Sequence, residues 1–217
     1  MLKLLVRKLR AGYARATRQR VFRDIYRRNL WSGGESVSGG GSSLQATAHV
    51  REALPGLLRQ LGVRTMLDAP CGDFYWMSQV ELPLDHYVGI DIVPDLVENN
   101  HRRYGSPTRS FLVLDAIKDD LPHTDLVLCR HLLIHLPLRD CRRVLRNFQR
   151  SGAKYLLVTQ QPQVSVNREI HTGSFRPLNL MLPPFDFPRP VQTFTDATAV
   201  GDPAVLALYD FQTLQLG

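Results

Sequence analysis

The chain has 217 residues, of which 44% are apolar and 22% are charged, values that are ordinary for one soluble globular domain. The net charge is +7, but residues 1–28 hold ten Lys and Arg against one acid, which leaves −2 for residues 29–217. No apolar run approaches the roughly 18 residues of a membrane-spanning helix, and residues 1–9 are too short and too charged for a secretion signal. We therefore expect one globular domain, residues 29–217, preceded by a basic tail.

The basic tail, residues 1–28, begins with a helical pattern that places apolar side chains on one face and Lys and Arg on the other. The apolar positions are Leu2, Leu5, Val6 and Leu9. Such a helix can lie on an anionic membrane, bind the phosphates of a nucleic acid, or pack loosely on the domain, and the sequence favours the last alternative. The aromatic pattern of proteins that bind single-stranded nucleic acids does not accompany it.

Residues 29–43 follow the tail and are rich in Gly and Ser, as a flexible linker is. A plain linker is not expected to contain Trp31, Glu35 and Val37. The segment therefore delivers its glycines and hydroxyl groups to the start of the next element.

That element is predicted to be a helix, because Ser42 and Gln45 form a capping-box pattern. We expect the helix to run from about Leu44 to Ala53, to be interrupted at Pro55, and to continue from Leu57 to Leu61.

A short apolar run ending at Asp68 predicts a buried parallel strand. Pro70 and Gly72 then turn the chain toward a helix that is expected to begin near Asp73. This geometry presents backbone N–H groups and a carboxylate at the carboxyl end of a strand, where open α/β sheets bind their ligands.

Three more apolar runs follow, and each ends in polar residues. They predict strands at residues 86–92, 110–116 and 125–131. Asp91 lies 23 positions after Asp68, close to the roughly 20-residue offset at which nucleotide-binding α/β folds place an acid that binds the ribose hydroxyls. Four successive strands of this kind are much harder to obtain by chance than one glycine loop.

Residues 65 to about 160 resemble class I S-adenosylmethionine-dependent methyltransferases. Asp68-Ala69-Pro70-Cys71-Gly72 is similar to the first motif of that family, although Pro70 and Phe74 stand where the family commonly has glycine. The resemblance implies a Rossmann-like α/β fold, with a mostly parallel central sheet, helices on both faces and an antiparallel hairpin at one edge. It also implies a methyltransferase that uses S-adenosylmethionine and methylates an unidentified acceptor.

The resemblance assigns the cofactor site by position. Asp68, Cys71 and Gly72 would frame the methionine part, Asp91 the ribose, and Asp115 with Ala116 the adenine. The full set implied to bind the cofactor is Trp31, Ser38, Asp68, Ala69, Cys71, Gly72, Asp91, Ile92, Asp115, Ala116, Cys129 and Arg130. Residues 31–42 are either a lid over the cofactor or an ordinary N-terminal loop, and Asp68 and Asp115 can alternatively cap helices or bond loops.

His131 and His135 follow the fourth predicted strand, where the family usually binds its acceptor. They are four positions apart and would share one face of a helix. Either can act as a base toward a hydroxyl or a protonated amine, or it can cap or pack, and His131 is the better candidate. No Glu lies between them in a His-Glu-x-x-His pattern and no third ligand is evident, so we expect no metal.

The remaining chain is predicted to contain a surface helix from Leu138 to Arg150, a strand at residues 154–159, and closing strands within 191–194 and 205–214. The long loop at residues 160–190 contains many aromatic and apolar residues, which favours an ordered cover over the substrate site. The expected substrate-binding residues in this loop are Arg176 and Asn179, although Arg176 can equally anchor the loop.

The chain contains three cysteines, an odd number without zinc-like spacing, which favours reduced thiols and a cytoplasmic location.

The sequence leaves two alternatives to a methyltransferase. An NAD-dependent oxidoreductase is disfavoured because Pro70-Cys71-Gly72 lacks the Gly-x-Gly-x-x-Gly spacing. The other is a protein that binds S-adenosylmethionine without catalysis. Removal of residues 1–20 is expected to preserve the fold and the cofactor affinity.

Overall fold

The computed structural model describes residues 2–31, 34–196 and 203–216, with only the backbone described for residues 2–14. The apolar positions expected on one face of the tail, Leu2, Leu5, Val6 and Leu9, lie among those without described side chains. None of the helices in the described ranges is both long and apolar enough to cross a membrane.

A seven-stranded sheet forms the centre of the molecule. The strands are β1 (Thr65–Asp68), β2 (His86–Asp91), β3 (Arg109–Val113), β4 (Leu126–Cys129), β5 (Tyr155–Gln160), β6 (Gln192–Asp196) and β7 (Ala204–Asp210). Their order is β3-β2-β1-β4-β5-β7-β6, and β1 to β5 are parallel. β7 pairs antiparallel with both β5 and β6. The fold class expected from the sequence, including the antiparallel edge, is confirmed.

Four α-helices accompany the sheet: α1 (Leu2–Arg27), α2 (Ala48–Leu61), α3 (Pro94–Tyr104) and α4 (Leu138–Arg150). Alternate residues of each central strand serve opposite faces of the sheet. Leu67 and Val127 pack with the α4 residue Val144 on one face, whereas Met66 and Leu126 pack with α2 on the other. Parallel strands that are covered on both faces are apolar throughout, which is why short runs such as Met66-Leu67 were recognisable in the sequence.

The expected helix near Asp73 does not form. Turns and a short 3₁₀ helix, Met77–Gln79, take its place. Phe74 has a positive φ of 57°, and the Asp73 side chain accepts hydrogen bonds from the backbone N–H groups of Tyr75 and Val37. A side chain that bonds nearby backbone in this way stabilises a turn in competition with a helix.

The boundaries predicted for α2 are also wrong. The helix begins at Ala48, and Ser42 lies in a separate 3₁₀ turn, so the capping box does not form. Glu35 accepts the Leu44 N–H instead. Pro55 lies inside a continuous helix, where it removes one backbone hydrogen bond. The burial of apolar side chains on either side of Pro55 offsets that loss.

The loop at residues 160–190 is ordered, and most of it fills the core. Leu178 and Leu180 are fully buried, and Phe187 packs edge-to-face on Tyr209 at 5.1 Å. Among its side chains in the described structure, only Phe175 reaches the cavity described below. The expectation that this loop covers a substrate site stays a prediction, and Phe175 is its point of contact with the cavity.

Candidate active site

One large cavity, of about 620 Å³, lies at the carboxyl edge of the parallel strands. It opens between β1 and β4, where the chain changes the side of the sheet on which it adds strands, and such a switch point is the usual ligand site of an open α/β sheet. Its volume falls in the range of roughly 300–1,000 Å³ that is typical of small-molecule sites. Its walls come from α1, residues 37–42, the ends of β1 and β2 with the residues that follow them, residues 114–117 after β3, and residues 130–136 after β4.

Asp68, at the end of β1, points its carboxylate into a buried environment at the cavity wall. The Tyr87 hydroxyl donates to it at 2.6 Å. Burial dominates its electrostatics and raises the pKa of the Asp68 carboxyl to about 7, against the opposing effects of the Tyr87 hydrogen bond and the Arg130 charge. Asp68 therefore carries negative charge at neutral pH only at a cost in free energy, and that cost falls when a cation binds nearby.

Asp91 ends β2 and lines the same cavity. It accepts the Val93 N–H at 3.0 Å, and burial raises its pKa to about 6. The neighbouring loop is held in place, since Asn100 donates to the Gly72 carbonyl at 2.7 Å. Two acids with raised pKa values thus lie at the ends of adjacent strands, and Ile92 beside Asp91 also lines the wall.

Asp115 follows β3 and has a cationic partner that the sequence did not suggest. Arg18 of α1 donates to its carboxylate at 2.6 Å, with side-chain exposures of 8% for Arg18 and 2% for Asp115. Phe22 and Tyr26 lie one and two turns farther along α1 and line the cavity with Arg18. The basic tail is therefore part of the site wall and not a separate element, contrary to the expectation of a loosely attached helix.

The segment of residues 34–42 closes another side of the cavity. Ser38 accepts the Asp73 N–H at 3.0 Å through its hydroxyl, and Val37 N–H donates to the Asp73 carboxylate at 2.9 Å. Gly72 has a positive φ of 53°, and a Cβ at this position would collide with the Ser38 hydroxyl. The glycine that the sequence singled out therefore lets residues 34–42 approach the loop after β1 closely.

Phe74 shows what replaces one glycine of the resembling motif. It is buried and packs on Tyr87, Tyr104 and Phe111, each ring centroid at 5.1 Å. Its left-handed backbone would suit glycine, and the aromatic packing offsets the strain. The departure from the family pattern is thus accommodated in the core beneath the cavity.

Arg130, directly after β4, joins three parts of the site. It donates to both carboxylate oxygens of Asp196 at the end of β6, and its Nη2 donates to the Gly41 carbonyl at 2.6 Å. Its guanidinium also lies 5.4 Å from the ring centroid of Trp76. Arg130 lines the cavity, as expected of a cofactor-site residue, but its donors are largely committed to protein groups.

His131 and His135 both line the cavity, although they do not share a helix face. His131 has a positive φ of 59°, and only His135 lies in a 3₁₀ helix, Leu133–His135. His135 stacks on Trp31 with ring centroids 4.6 Å apart, and burial lowers the pKa of His135 to about 4. Non-glycine residues with a left-handed backbone are concentrated at functional sites, and the positive φ of His131 supports a functional role for this residue.

Three residues of the sequence-based set lie away from the cavity wall. Cys129 is buried in the core, where burial raises its pKa well above the ordinary value. Arg176 donates to the carbonyls of Leu133, Leu136 and Arg168 and so anchors the loop. Asn179 bonds other backbone groups of the same loop. The assignment of these three residues to ligand binding is not supported by their positions, whereas the remaining members of the set line the cavity.

Sequence reasoning missed one face of α1 and the acid that holds Arg130. Arg18, Phe22 and Tyr26 recur at helical spacing, and that periodicity was available in the sequence without any indication of what the face covers. Asp196 is the last residue of β6. Because β7 is antiparallel to both β5 and β6, β6 runs in the same direction as β5 and ends at the same edge of the sheet as the strands that carry the other acids. Within the described ranges, no group of three or more His, Cys, Asp or Glu side chains could hold a metal ion.

Comparison with known proteins gives matches in structure only. No protein-family model matches the sequence, and no curated protein matches it. Magnesium protoporphyrin IX methyltransferase from Synechocystis PCC 6803, with bound S-adenosylhomocysteine, matches 87% of this chain and 97% of its own at 14% identity and a TM-score of 0.59. The chain has the class I methyltransferase fold.

Two further solved structures with this fold illustrate its breadth. N-methyltransferase NodS from Bradyrhizobium japonicum WM9, with S-adenosylhomocysteine, has a TM-score of 0.56 at 15% identity over 73% of this chain and 86% of its own. Human N-acetylserotonin methyltransferase, with S-adenosylmethionine, has a TM-score of 0.52 at 17% identity over 74% of this chain and 52% of its own. Because the named acceptors differ widely, the methyltransferase fold alone does not identify the acceptor.

Proposed function

We propose that this protein is an S-adenosylmethionine-dependent methyltransferase. The observation that carries the proposal is the convergence of Asp68, Asp91 and Asp115, from the ends of three adjacent strands, on one cavity in a methyltransferase fold. A protein that only shared the fold would not need ionisable groups at the ends of three strands, two of them with strongly raised pKa values.

The cavity suits S-adenosylmethionine in charge as well as position. Asp68 and Asp91 have no cation in hydrogen-bond contact among the described residues, and the burial that raises their pKa values supports the binding of a positive ligand. The molecule carries a sulfonium and an ammonium group. We assign Asp68, Cys71 and Gly72 to its methionine part, Asp91 to its ribose, and Ile92, Asp115 and Ala116 to its adenine.

The bound molecule would supply a methyl group activated by the positive sulfur. The protein then has two tasks, which are to align donor and acceptor and to exclude water. The segment of residues 34–42, together with Trp31 and the α1 face, is placed to enclose the donor. Arg130 keeps that segment attached to the end of β4 through the Gly41 carbonyl.

Calorimetric titration tests the cofactor assignment directly. The purified protein is titrated with S-adenosylmethionine, S-adenosylhomocysteine and NAD, and we expect the two adenosyl ligands to bind and NAD not to bind. Asp91→Asn keeps an acceptor for the Val93 N–H but removes the charge. Hydrogen bonds to a charged group contribute about 1.5–3 kcal/mol, so affinity should fall by roughly 10- to 150-fold.

Asp85→Asn is the matched control, because Asp85 is exposed directly before the same strand and its side chain pairs with Arg64, away from the cavity. Its affinity for S-adenosylmethionine should equal that of the wild type. Equal loss in both variants, or binding of NAD alone, would reject the assignment. Binding without methyl transfer to any acceptor would leave a non-catalytic S-adenosylmethionine-binding module as the function.

We also propose a reducing compartment, such as the cytoplasm. Cys71, Cys129 and Cys141 are all unpaired and buried in the structure. Burial raises the pKa of each thiol, which keeps it protonated and unreactive. The expectations that the basic tail contacts an anionic surface and that no metal is needed stay predictions.

A further inference from the structure

His131, Asp196 and Arg130 form a cluster where β4 and β6 end, outside the three acids assigned to the cofactor. Asp196 is fully buried, and Arg130 holds its carboxylate through Nε, 3.1 Å from each oxygen, and through Nη2, 2.7 Å from Oδ1. A buried carboxylate held at both oxygens is fixed in orientation. Asp196 is therefore a rigid negative group, buried behind Arg130 and His131, which both line the cavity.

His131 places its two ring nitrogens in different surroundings. Nε2 is buried and lies 3.4 Å from Asp196 Oδ2, too long and misaligned for a regular hydrogen bond. The ring edge with Nδ1 and Cε1 faces Gly41, which lines the cavity. The side chain is 19% exposed. The imidazole thus connects a fixed carboxylate to the cavity.

The cations of the cavity wall are already neutralised. Of the described residues that line it, two are arginines; Arg18 is paired with Asp115 and Arg130 with Asp196. An acceptor that presents a carboxylate or a phosphate as its nucleophile would need a free cation to hold it. The wall therefore favours a neutral acceptor.

We propose that the acceptor group is a hydroxyl, that His131 is its general base, and that Asp196 is the residue that positions His131. This inference rests on the proposed methyltransferase function. A hydroxyl is a poor nucleophile until it loses its proton, whereas an amine that is already neutral at pH 7, such as an aniline, attacks with its own lone pair. A base held between a carboxylate and the cavity therefore assists a hydroxyl acceptor and is not needed by such an amine.

The acceptor oxygen forms a bond to the methyl carbon while the bond from that carbon to the sulfonium sulfur breaks, and its electron pair stays on sulfur. The acceptor proton moves to Nδ1 of His131 and later leaves to solvent, and the imidazolium that forms in between lies 3.4 Å from the Asp196 carboxylate. The products are the methyl ether, S-adenosylhomocysteine and one proton.

The electrostatics of the cluster agree with a base that is free to accept a proton. Burial and the Arg130 charge lower the pKa of His131, against the opposing effect of Asp196. His131 is therefore neutral near pH 7. The charged and titratable groups in contact with it are Arg130 and Asp196, and His135 is the next titratable neighbour.

The acceptor class is tested with four matched panels: substituted phenols, methyl glycosides, the corresponding anilines, and aromatic carboxylates. Release of S-adenosylhomocysteine and the product mass are measured at saturating S-adenosylmethionine. We expect turnover with a hydroxyl panel, and the two hydroxyl panels distinguish a phenolic from a carbohydrate source. Turnover only with anilines or carboxylates, or none at all from protein that binds S-adenosylmethionine, would overturn the acceptor class. Failure to bind S-adenosylmethionine would instead reject the underlying function.

The base is tested with His131→Asn, because asparagine accepts the left-handed backbone of this position but cannot remove a proton at neutral pH. We expect kcat to fall by roughly 10²- to 10⁴-fold, the usual contribution of a general base, with the affinity for S-adenosylmethionine unchanged. His49→Asn, on the exposed side of α2, is the control and should keep the wild-type kcat. An unchanged kcat in His131→Asn would refute the base.

Asp196 is tested by Asp196→Asn and by its conservative counterpart Asp196→Glu. We expect Asp196→Asn to lower kcat without raising KM for the acceptor, and Asp196→Glu to restore part of kcat. A change in KM alone would show that Asp196 has only a structural role. If Asp196→Asn does not fold, as judged by circular dichroism, the His131→Asn result and the Asp196→Glu kcat decide the question.

Discussion

The ion pair between Arg18 and Asp115 gives the sharpest test of how α1 belongs to the molecule. Arg18→Met removes the guanidinium but keeps an unbranched side chain of similar length, so that packing changes little. Asp115 then remains 2% exposed without its cation. Removal of one partner from a buried pair costs about 3–5 kcal/mol, because the other charge is left uncompensated.

The lower end of that range applies here for two reasons. Asp115 keeps one hydrogen bond, from the Ile117 N–H at 3.0 Å, and it lines a cavity that solvent can enter. We therefore expect the free energy of unfolding to fall by about 3 kcal/mol. Denaturation in urea, followed by circular dichroism, measures this, with an unchanged slope as evidence that the folded state is intact.

Two further variants test whether the loss of stability comes from the ion pair. Arg20→Met alters an arginine of the same helix that is 79% exposed and should change stability by less than about 0.5 kcal/mol. The double variant Arg18→Met with Asp115→Asn removes both charges and should be more stable than Arg18→Met alone. If Arg18→Met matches Arg20→Met, or if the double variant is the least stable of the three, the pair does not hold α1 on the domain.

Three other predictions follow from the site. First, Asp68 and Asp91 have folded-state pKa values of about 7 and about 6, against 3.8 ordinarily, so the folded state binds extra protons between those values. The stability of ligand-free wild type, relative to a variant with Asn at both positions, should therefore fall as pH rises from about 4 to about 7; a flat difference in melting temperature would contradict this. Second, Gly72→Ala should weaken S-adenosylmethionine binding at least tenfold in calorimetry, because its Cβ would collide with the covering segment, whereas Gly56→Ala in α2, with open space around it, should stabilise the protein by up to about 1 kcal/mol. Third, deletion of residues 1–20 should lower that affinity, opposite to the expectation from sequence, and an unchanged dissociation constant would restore the tail interpretation.

The strands and the cavity acids could be predicted because their signals are local. Each parallel strand is buried on both faces, so a run such as Leu126-Val127-Leu128 is apolar throughout, and its end is marked by polar residues. The helix Leu138–Arg150 was predicted at its observed bounds for the same reason, since one face is buried and the other is charged. In these elements the pattern and the packing depend on the same few neighbouring residues.

The predictions from sequence were wrong where a side chain forms its hydrogen bonds with a distant or competing partner. Asp73 bonds Val37 and Tyr75 rather than starting a helix, and Ser42 lies in a turn whose neighbour Leu44 is bonded by Glu35. A capping pattern in the sequence does not predict these hydrogen bonds, because it does not specify which partner lies nearest in the folded chain. The same limit applies to Asp196, whose partner Arg130 lies 66 positions away along the chain.

Ion pairs within the molecule account for part of the charge asymmetry of the sequence. Arg15 contacts Asp119, Arg18 contacts Asp115, and Arg27 contacts Asp95, so three arginines of the basic tail meet acids of the near-neutral domain. Part of the positive charge that suggested an external anionic surface is therefore balanced within the molecule. Because Asp115 also lines the cavity, its pair with Arg18 joins the basic tail directly to the cavity wall.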